Sequence, residues 1–182
     1  MREQNRQIFS LAMSVFEKDS SEGRNKVIHI AIPGMGSYEV EHLVLDLNGT
    51  IALDGRIMEG VEERLEKLSQ KLDITVVTAD TNRNAASLLG DLPVSIHIIK
   101  ETQEDDRKLA VVLDKGKDRT VSIGNGRNDV SMLRESAIGI CVLGGEGTSA
   151  EAMVASNLVV PTINDALDLL LKPHRLRATL RR

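Results

Sequence analysis

The 182-residue chain has no tryptophan, one tyrosine (Tyr38) and two phenylalanines (Phe9 and Phe16). So few rings leave nothing on which to stack nucleic-acid bases, which argues against single-strand binding. The core must be aliphatic. A single cysteine, Cys141, excludes an internal disulfide and a cysteine-rich zinc site. It stands in an apolar run and reads as a buried small hydrophobe. No apolar run approaches the ~20 residues of a membrane span. The stretch from Ile8 to Phe16 runs into Glu17-Lys18-Asp19 without a small-residue cleavage site, so it is not read as a signal peptide. A net charge of −4 supplies no strong field toward nucleic acid or a membrane. These absences predict a cytoplasmic protein with no nucleic-acid partner and no membrane insertion.

What remains is ordinary for a globular protein: 41% hydrophobic and 27% charged residues. Residues 1–26 read as a helical arm and linker, and residues 27–182 as the main domain. Ile8, Phe9, Leu11, Ala12, Val15 and Phe16 fall at helical spacing before the linker Asp19-Ser20-Ser21-Glu22-Gly23. Such an arm packs on its own domain or contacts another copy; the sequence leaves both open. Two short β runs flank Pro33-Gly34-Met35-Gly36 and predict a hairpin.

From residue 42 onward, continuous apolar runs alternate with helical patterns. Strands are expected at 42–47, 74–78, 94–99, 120–123, 137–142 and 158–160. Helices are expected at 60–72, 82–89, 105–114, 128–135, 148–156 and 163–171. Apolar strands without polar alternation are buried on both faces, so the pattern predicts a doubly wound three-layer α/β/α parallel sheet. The arginines after Lys172 read as a solvated basic tail. Ligands of such sheets bind beyond the carboxyl ends of the strands. There the sequence places Asp46, Asn48 and Thr50, then Thr78 and Asp80, then Asn125, Asn128 and Asp129, with Lys108 early in the helix before the last of these strands. Paired carboxylates suit a hard divalent cation, and a lysine with a hydroxyl suits a phosphoryl group.

Four segments resemble the motifs of the haloacid dehalogenase (HAD) superfamily. Asp46-Leu47-Asn48-Gly49-Thr50 is similar to the first, Asp-x-Asp-Gly-Thr. Val77-Thr78-Ala79-Asp80 is similar to the second, Lys108 to the third, and Gly124-Asn125-Gly126-Arg127-Asn128-Asp129 to the fourth, Gly-Asp-Gly-x-Asn-Asp. Within the superfamily the chain most resembles the phosphorylation domain of P-type ATPases and the small soluble P-type ATPase-like proteins. The resemblance implies that Asp46 is the nucleophile of an aspartyl-phosphate mechanism. Mg²⁺ would sit among Asp46, the Asn48 carbonyl, Asn125 and Asp129. Asn48, Gly49, Thr78, Ala79 and Lys108 would hold phosphate, with Thr50, Asp80, Gly124 and Asn128 in support. Lys100 is the weaker candidate for the third-motif lysine.

Two departures stand out. Asn48 occupies the position of the general acid–base aspartate, and Asn125 that of a metal-binding aspartate. The first predicts slow turnover of alkyl phosphates and a bias toward acyl or aryl phosphates. Only 27 residues separate Thr50 from Thr78 and 29 separate Thr78 from Lys108, too few for a cap domain. An uncapped site implies a homo-oligomer or a large substrate, such as a phosphoprotein, beside the small phosphorylated substrates usual for the superfamily. The alternative reading is a catalytically degenerate phosphate- or partner-binding protein, of which an accessory protein for a membrane transporter is one form. Three weaker features remain. Gly144–Ser149 reads as a turn with Thr148 or Ser149 capping a helix, in which Glu146 would repel an anion. Residues 55–60 form a loop able to move near Asp46. The four histidines show no ligand spacing.

Overall fold

The computed structural model describes residues 26–80 and 84–182. The expected arm helix, its linker and the start of the expected 82–89 helix lie outside the described residues. An antiparallel hairpin of β1 (Ile28–Ile32) and β2 (Gly36–Val40) comes first, as the Pro/Gly turn predicts. The alternating series then follows: β3 (His42–Asp46), β4 (Ala52–Leu53), β5 (Arg56–Ile57), α1 (Val61–Ser69), β6 (Asp73–Thr78), α2 (Ala85–Leu89), β7 (Ser95–Ile98) and α3 (Glu104–Lys115). It continues with β8 (Thr120–Gly124), α4 (Val130–Glu135), β9 (Ile138–Val142), α5 (Ala150–Ala155), β10 (Leu158–Val160), α6 (Ile163–Leu171) and α7 (Pro173–Leu180).

Six strands form one parallel sheet in the order β10-β9-β8-β3-β6-β7. All six are the strands expected from the apolar runs. Side chains alternate across a strand, so Leu43 and Leu45 of β3 enter the larger core and Val44 the smaller one on the opposite face. In β6, Ile74 and Val76 join the first core and Val77 the second. The larger core packs α1 through Val61, Leu65 and Leu68, spaced four and three residues apart on one helix face. The smaller packs α3 through Val111 and Val112. Cys141 is fully buried under α4 and α5, and its thiol is pushed up to about 11, by burial first and then by the nearby Asp129 charge. From β3 the chain winds outward to β6 and β7, then returns to lay β8 on the other side of β3. The crevice between β3 and β8 is therefore the switch point at which such sheets bind ligands.

Two elements differ from expectation. The 52–57 stretch is not a plain loop but a small β4–β5 hairpin. Its turn residues Asp54 and Gly55 both have positive φ, the pattern of a tight two-residue hairpin turn. The basic tail is the helix α7. Arg175, Arg177, Arg181 and Arg182 are exposed, but Leu176 is fully buried in the larger core and the Arg182 N–H donates to the Pro33 carbonyl at 3.0 Å. One leucine facing inward is enough to dock a helix that otherwise reads as solvated. Truncating such a side chain costs about 2–5 kcal/mol, so Leu176→Ala is expected to lower unfolding stability by that amount in urea titration. A loss below about 0.5 kcal/mol would mean that α7 is not part of the cooperative fold.

Candidate active site

Strand β3 carries Asp46 to the carboxyl edge of the sheet, where its side chain is 9% exposed. Its Oδ1 accepts a hydrogen bond from Lys108 Nζ at 2.6 Å. The same ammonium donates to Asp129 Oδ1 at 2.7 Å. Lys108 is itself 1% exposed, because it shares the inward face of α3 with Val111 and Val112, three and four residues on. Asp129 is fully buried, and its second oxygen accepts from the main-chain N–H groups of Asn125 (3.0 Å) and Gly126 (2.8 Å). A side chain at Gly124 would place its Cβ 2.5 Å from Asp129 Cγ, so glycine is needed there for this close approach.

On the other side of Asp46, the loop turns at Gly49 (φ +75°) and brings back Thr50. Thr50 Oγ1 lies 2.9 Å from Asp46 Oδ2 and 3.1 Å from Asn125 Oδ1, and its single proton serves one of them at a time. A Cβ at Gly49 would stand 2.7 Å from Asn125 Nδ2 and 2.8 Å from Glu146 Oε2, so glycine is required for space as well as for φ. The fourth-motif turn is clamped to α3 by Asn128 Nδ2 on Glu104 Oε2 (2.6 Å) and by the Ser131 N–H on Asp105 Oδ1 (2.8 Å).

Asp46, Thr50, Lys108, Asn125 and Asp129, from three segments of the chain, thus form one hydrogen-bonded cluster. Thr78 and Ala79 stand at the same edge, at the end of β6. Asn48 is exposed at the lip. Asp80 turns away: its Oδ1 accepts from the N–H groups of Asn84 and Ala85, both at 2.9 Å, and so holds the start of α2. Lys100 is exposed and lines a groove beside β7, so Lys108 is the lysine of the cluster. The Gly49 N–H, expected to face phosphate, donates to the Ala52 carbonyl at 2.8 Å.

The glycine-rich loop also differs from its expected role. No side-chain cap forms at Ser149, and the Thr148 hydroxyl instead lies 2.7 Å from the carbonyls of Val142 and Leu143. The loop folds over the first motif. Asn125 Nδ2 donates to the Gly147 carbonyl at 3.0 Å, the Ser149 N–H donates to the Asn125 carbonyl at 2.9 Å, and the Glu146 carboxylate stands beside Gly49. An aspartate at 125 would face the Gly147 carbonyl with a second oxygen rather than a donor, which gives the amide a structural reason. Three glycines in four residues were the sequence signal for a close approach, but not for its target.

The electrostatics follow from burial. Desolvation works against the charge on Lys108, but the charges and hydrogen bonds of Asp46 and Asp129 more than reverse it, so the amine is held above its ordinary range and stays cationic. Asp129 is pushed up to about 6, by burial first and then by the Asp46 charge, against the opposing pull of Lys108. The oxygen donors fit a hard cation of the Mg²⁺ type, which needs one or two carboxylates and completes its shell with substrate oxygens and water. Among the described residues no group of three or more His, Cys, Asp or Glu side chains is placed to hold a metal. Such an ion would therefore rest on few charges.

Known proteins place this geometry in context. No family model matches the chain. Uncharacterized protein MJ0073 of Methanocaldococcus jannaschii is 49% identical over 63 residues, 35% of this chain and 68% of that protein. Uncharacterized protein MJ0072 of the same organism is 55% identical over 40 residues, 22% of this chain and 91% of that protein. The chain belongs to their family. The fold of this family member is that of HAD-superfamily phosphatases. The 3-deoxy-D-manno-octulosonate 8-phosphate phosphatase of Moraxella catarrhalis, solved with magnesium, phosphate and its sugar, superposes with a TM-score of 0.59 at 18% identity, over 78% of this chain and 94% of that one. The cobalt-bound phosphatase YrbI of Haemophilus influenzae gives 0.62 at 11% identity, over 79% and 90%. A phosphoserine phosphatase without ligand gives 0.58 at 11% identity, over 72% and 99%. Among the described residues only the β4–β5 hairpin is inserted between β3 and α1, and no cap domain is present.

Removing the buried cation tests the cluster. Breaking a buried pair costs about 3–5 kcal/mol because charge is left uncompensated, and Lys108→Met is expected to lose that amount at pH 8 in chelator. The raised Asp129 means that the folded state holds its proton more tightly than the unfolded chain. Its contribution to stability is fully present below the unfolded value, near ~4, and is lost as pH rises through about 6. Without Lys108 the upward push grows. The deficit of the variant should therefore shrink between pH 8 and pH 5 in urea titrations; a constant deficit would show that Lys108 does not balance the two carboxylates.

Proposed function

We propose that the chain is a Mg²⁺-dependent, cytoplasmic phosphohydrolase or phosphotransferase that forms an aspartyl-phosphate on Asp46. The observation that carries this reading is the Asp46 carboxylate held at the switch-point crevice by a buried lysine that it shares with Asp129. Asp46 attacks phosphorus as the bond to the leaving group breaks. Lys108 offsets the charge that collects on Asp46 and the phosphoryl oxygens, and the Thr78 hydroxyl with the main-chain N–H groups of Asn48 and Ala79 orients those oxygens. Mg²⁺, held by Asp46, the Asn48 carbonyl and Asn125 with Asp129 behind them, would supply the remaining counter-charge. Water then attacks the acyl phosphate and returns Asp46 as a carboxylate.

Asn48 limits this chemistry. An amide cannot give a proton to a departing alkoxide, and positioned acid–base catalysis is worth 10²–10⁴-fold, about 3–5 kcal/mol of barrier. The same lack slows hydrolysis of the aspartyl-phosphate, in keeping with the likeness of the motifs to the phosphorylation domain of P-type ATPases. Acyl phosphates, small or carried on a protein, are the preferred substrates. The uncapped crevice is covered by a large substrate or by a neighbouring subunit in a homo-oligomer.

A second reading, phosphate or partner binding without turnover, is favoured by the amides at both 48 and 125. Hydrolysis of acetyl phosphate beside an alkyl phosphate, with and without Mg²⁺, separates the two. Turnover of acetyl phosphate that needs Mg²⁺ and falls at least about 10³-fold in Asp46→Asn supports catalysis. Asn48→Asp is expected to raise alkyl phosphate hydrolysis by about 10²-fold or more. Binding of beryllium fluoride with Mg²⁺ but no turnover of either substrate would establish the binding reading.

A further inference from the structure

Glu146 is the one carboxylate of the glycine-rich loop, and that loop is fixed against the first motif at several points. A Cβ on Gly144 would stand 2.8 Å from the Gly49 carbonyl oxygen, and one on Gly145 2.9 Å from the Leu53 side chain, so only bare backbone lies this close. Beyond Glu146, the Gly147 carbonyl accepts from Asn125 Nδ2 and the Ser149 N–H donates to the Asn125 carbonyl. The chain is thus held on both sides of Glu146, and the exposed carboxylate lies against the first motif. Its Oε2 is 2.8 Å from the point that a Cβ on Gly49 would occupy, and Asn125 Oδ1 is 3.2 Å from the same point. Carboxylate and amide oxygen border one small space. Among the described residues the Glu146 side chain makes no hydrogen bond or ion pair, whereas Glu151, the next carboxylate along the chain, pairs with Arg127 at 3.0 Å. The buried cation of the site, Lys108, is already shared by Asp46 and Asp129.

We propose that Glu146 takes the place of the carboxylate missing at position 125 and holds Mg²⁺ through the waters of its shell, an inference that rests on the metal-dependent reading above. The amide at 125 and the carboxylate at 146 are two halves of one change. Asn125 gives up a charge, and its Nδ2 draws in the loop that carries one back. An aspartate there would repel the Gly147 carbonyl and release that loop. The charges agree with this exchange. Asp46, Asp129 and Lys108 sum to one negative charge, and Glu146 makes it two, the complement of a divalent ion. The contact runs through water because, among the described residues, no three acidic side chains converge on one point. Mg²⁺ keeps several of its waters when bound to protein, and groups that hydrogen-bond the inner shell orient it and raise affinity.

The test titrates Mn²⁺, a paramagnetic stand-in for Mg²⁺, into the full chain and counts the free ion by electron paramagnetic resonance. Glu146→Gln is expected to weaken binding about tenfold or more. Glu151→Gln removes the same formal charge from an exposed position five residues on and is expected to weaken it less than about twofold. Adding Asn125→Asp to Glu146→Gln is expected to return the affinity to within about threefold of the wild type, as coupled positions should. Each variant is checked for an unchanged unfolding transition. Equal affinity in the wild type and Glu146→Gln, an equal loss in Glu151→Gln, or no recovery in the double variant overturns the proposal. Asp46→Asn reads the proposed function separately. If that variant binds Mn²⁺ as the wild type does, or the wild type takes up none, the metal-dependent reading falls. Loss of binding in Asp46→Asn with none in Glu146→Gln removes only the role of Glu146.

Discussion

Three charges with almost no access to water hold the carboxyl edge of the sheet together at the candidate site: Lys108 between Asp46 and Asp129. Each alone would cost several kcal/mol to bury, so none is tolerable without the other two. Their positions, 46, 108 and 129, are brought into contact only if β3, α3 and the turn after β8 are in register. Lys108 is anchored by the valines beside it on α3, and Asp129 by two main-chain N–H groups. The geometry of the crevice is therefore inherited from both the small core and the backbone of the fourth-motif turn.

The two amides play different parts around that triad. Asn125 is engaged at both ends, its oxygen toward Thr50 and its nitrogen on the Gly147 carbonyl, so it stitches the glycine-rich loop over the first motif. It gives up a negative charge that a divalent ion would welcome and gains a closed wall in return. Asn48 is exposed at the lip. In the mechanism proposed above it stands where a proton would be exchanged, and the two amides together would leave a site that accepts a phosphoryl group yet is poorly equipped to protonate a leaving group. Glu146, brought beside Gly49 by the same loop, adds negative charge at the entrance and disfavours weakly bound anions.

Away from the crevice, the ends of the described chain support each other. The N-terminal hairpin and α7 meet through Leu176 and the Arg182 to Pro33 hydrogen bond, sealing one end of the larger core. At the β7 edge of the sheet, a groove carries Ile96, Ile98 and Val111 beside Lys100, Arg107, Asp114 and Lys115.

The six strands and their parallel order of winding could be read from the chain, because strands buried on both faces must be continuously apolar and the helices between them show one inward stripe. The candidate cluster was legible through its motifs, including the choice of Lys108. Its position three and four residues before Val111 and Val112 puts it on the inward face, whereas Lys100 follows an edge strand. Less could be read where the deciding contact is distant in sequence. Two-residue strands β4 and β5 carry too few side chains to show a period, and α7 hides one buried leucine among arginines. Residue types and their spacing determined the fold, the edge of the sheet that bears the chemistry, and the donors available there. Only the tertiary structure decided which hydrogen-bonding groups are already spent: the Gly49 N–H donating to Ala52, the Asp80 carboxylate accepting at the start of α2, the Asn125 amide donating to Gly147. A hydrogen-bonding group has few partners to give, and which neighbour claims it depends on loops that meet only when the chain has folded.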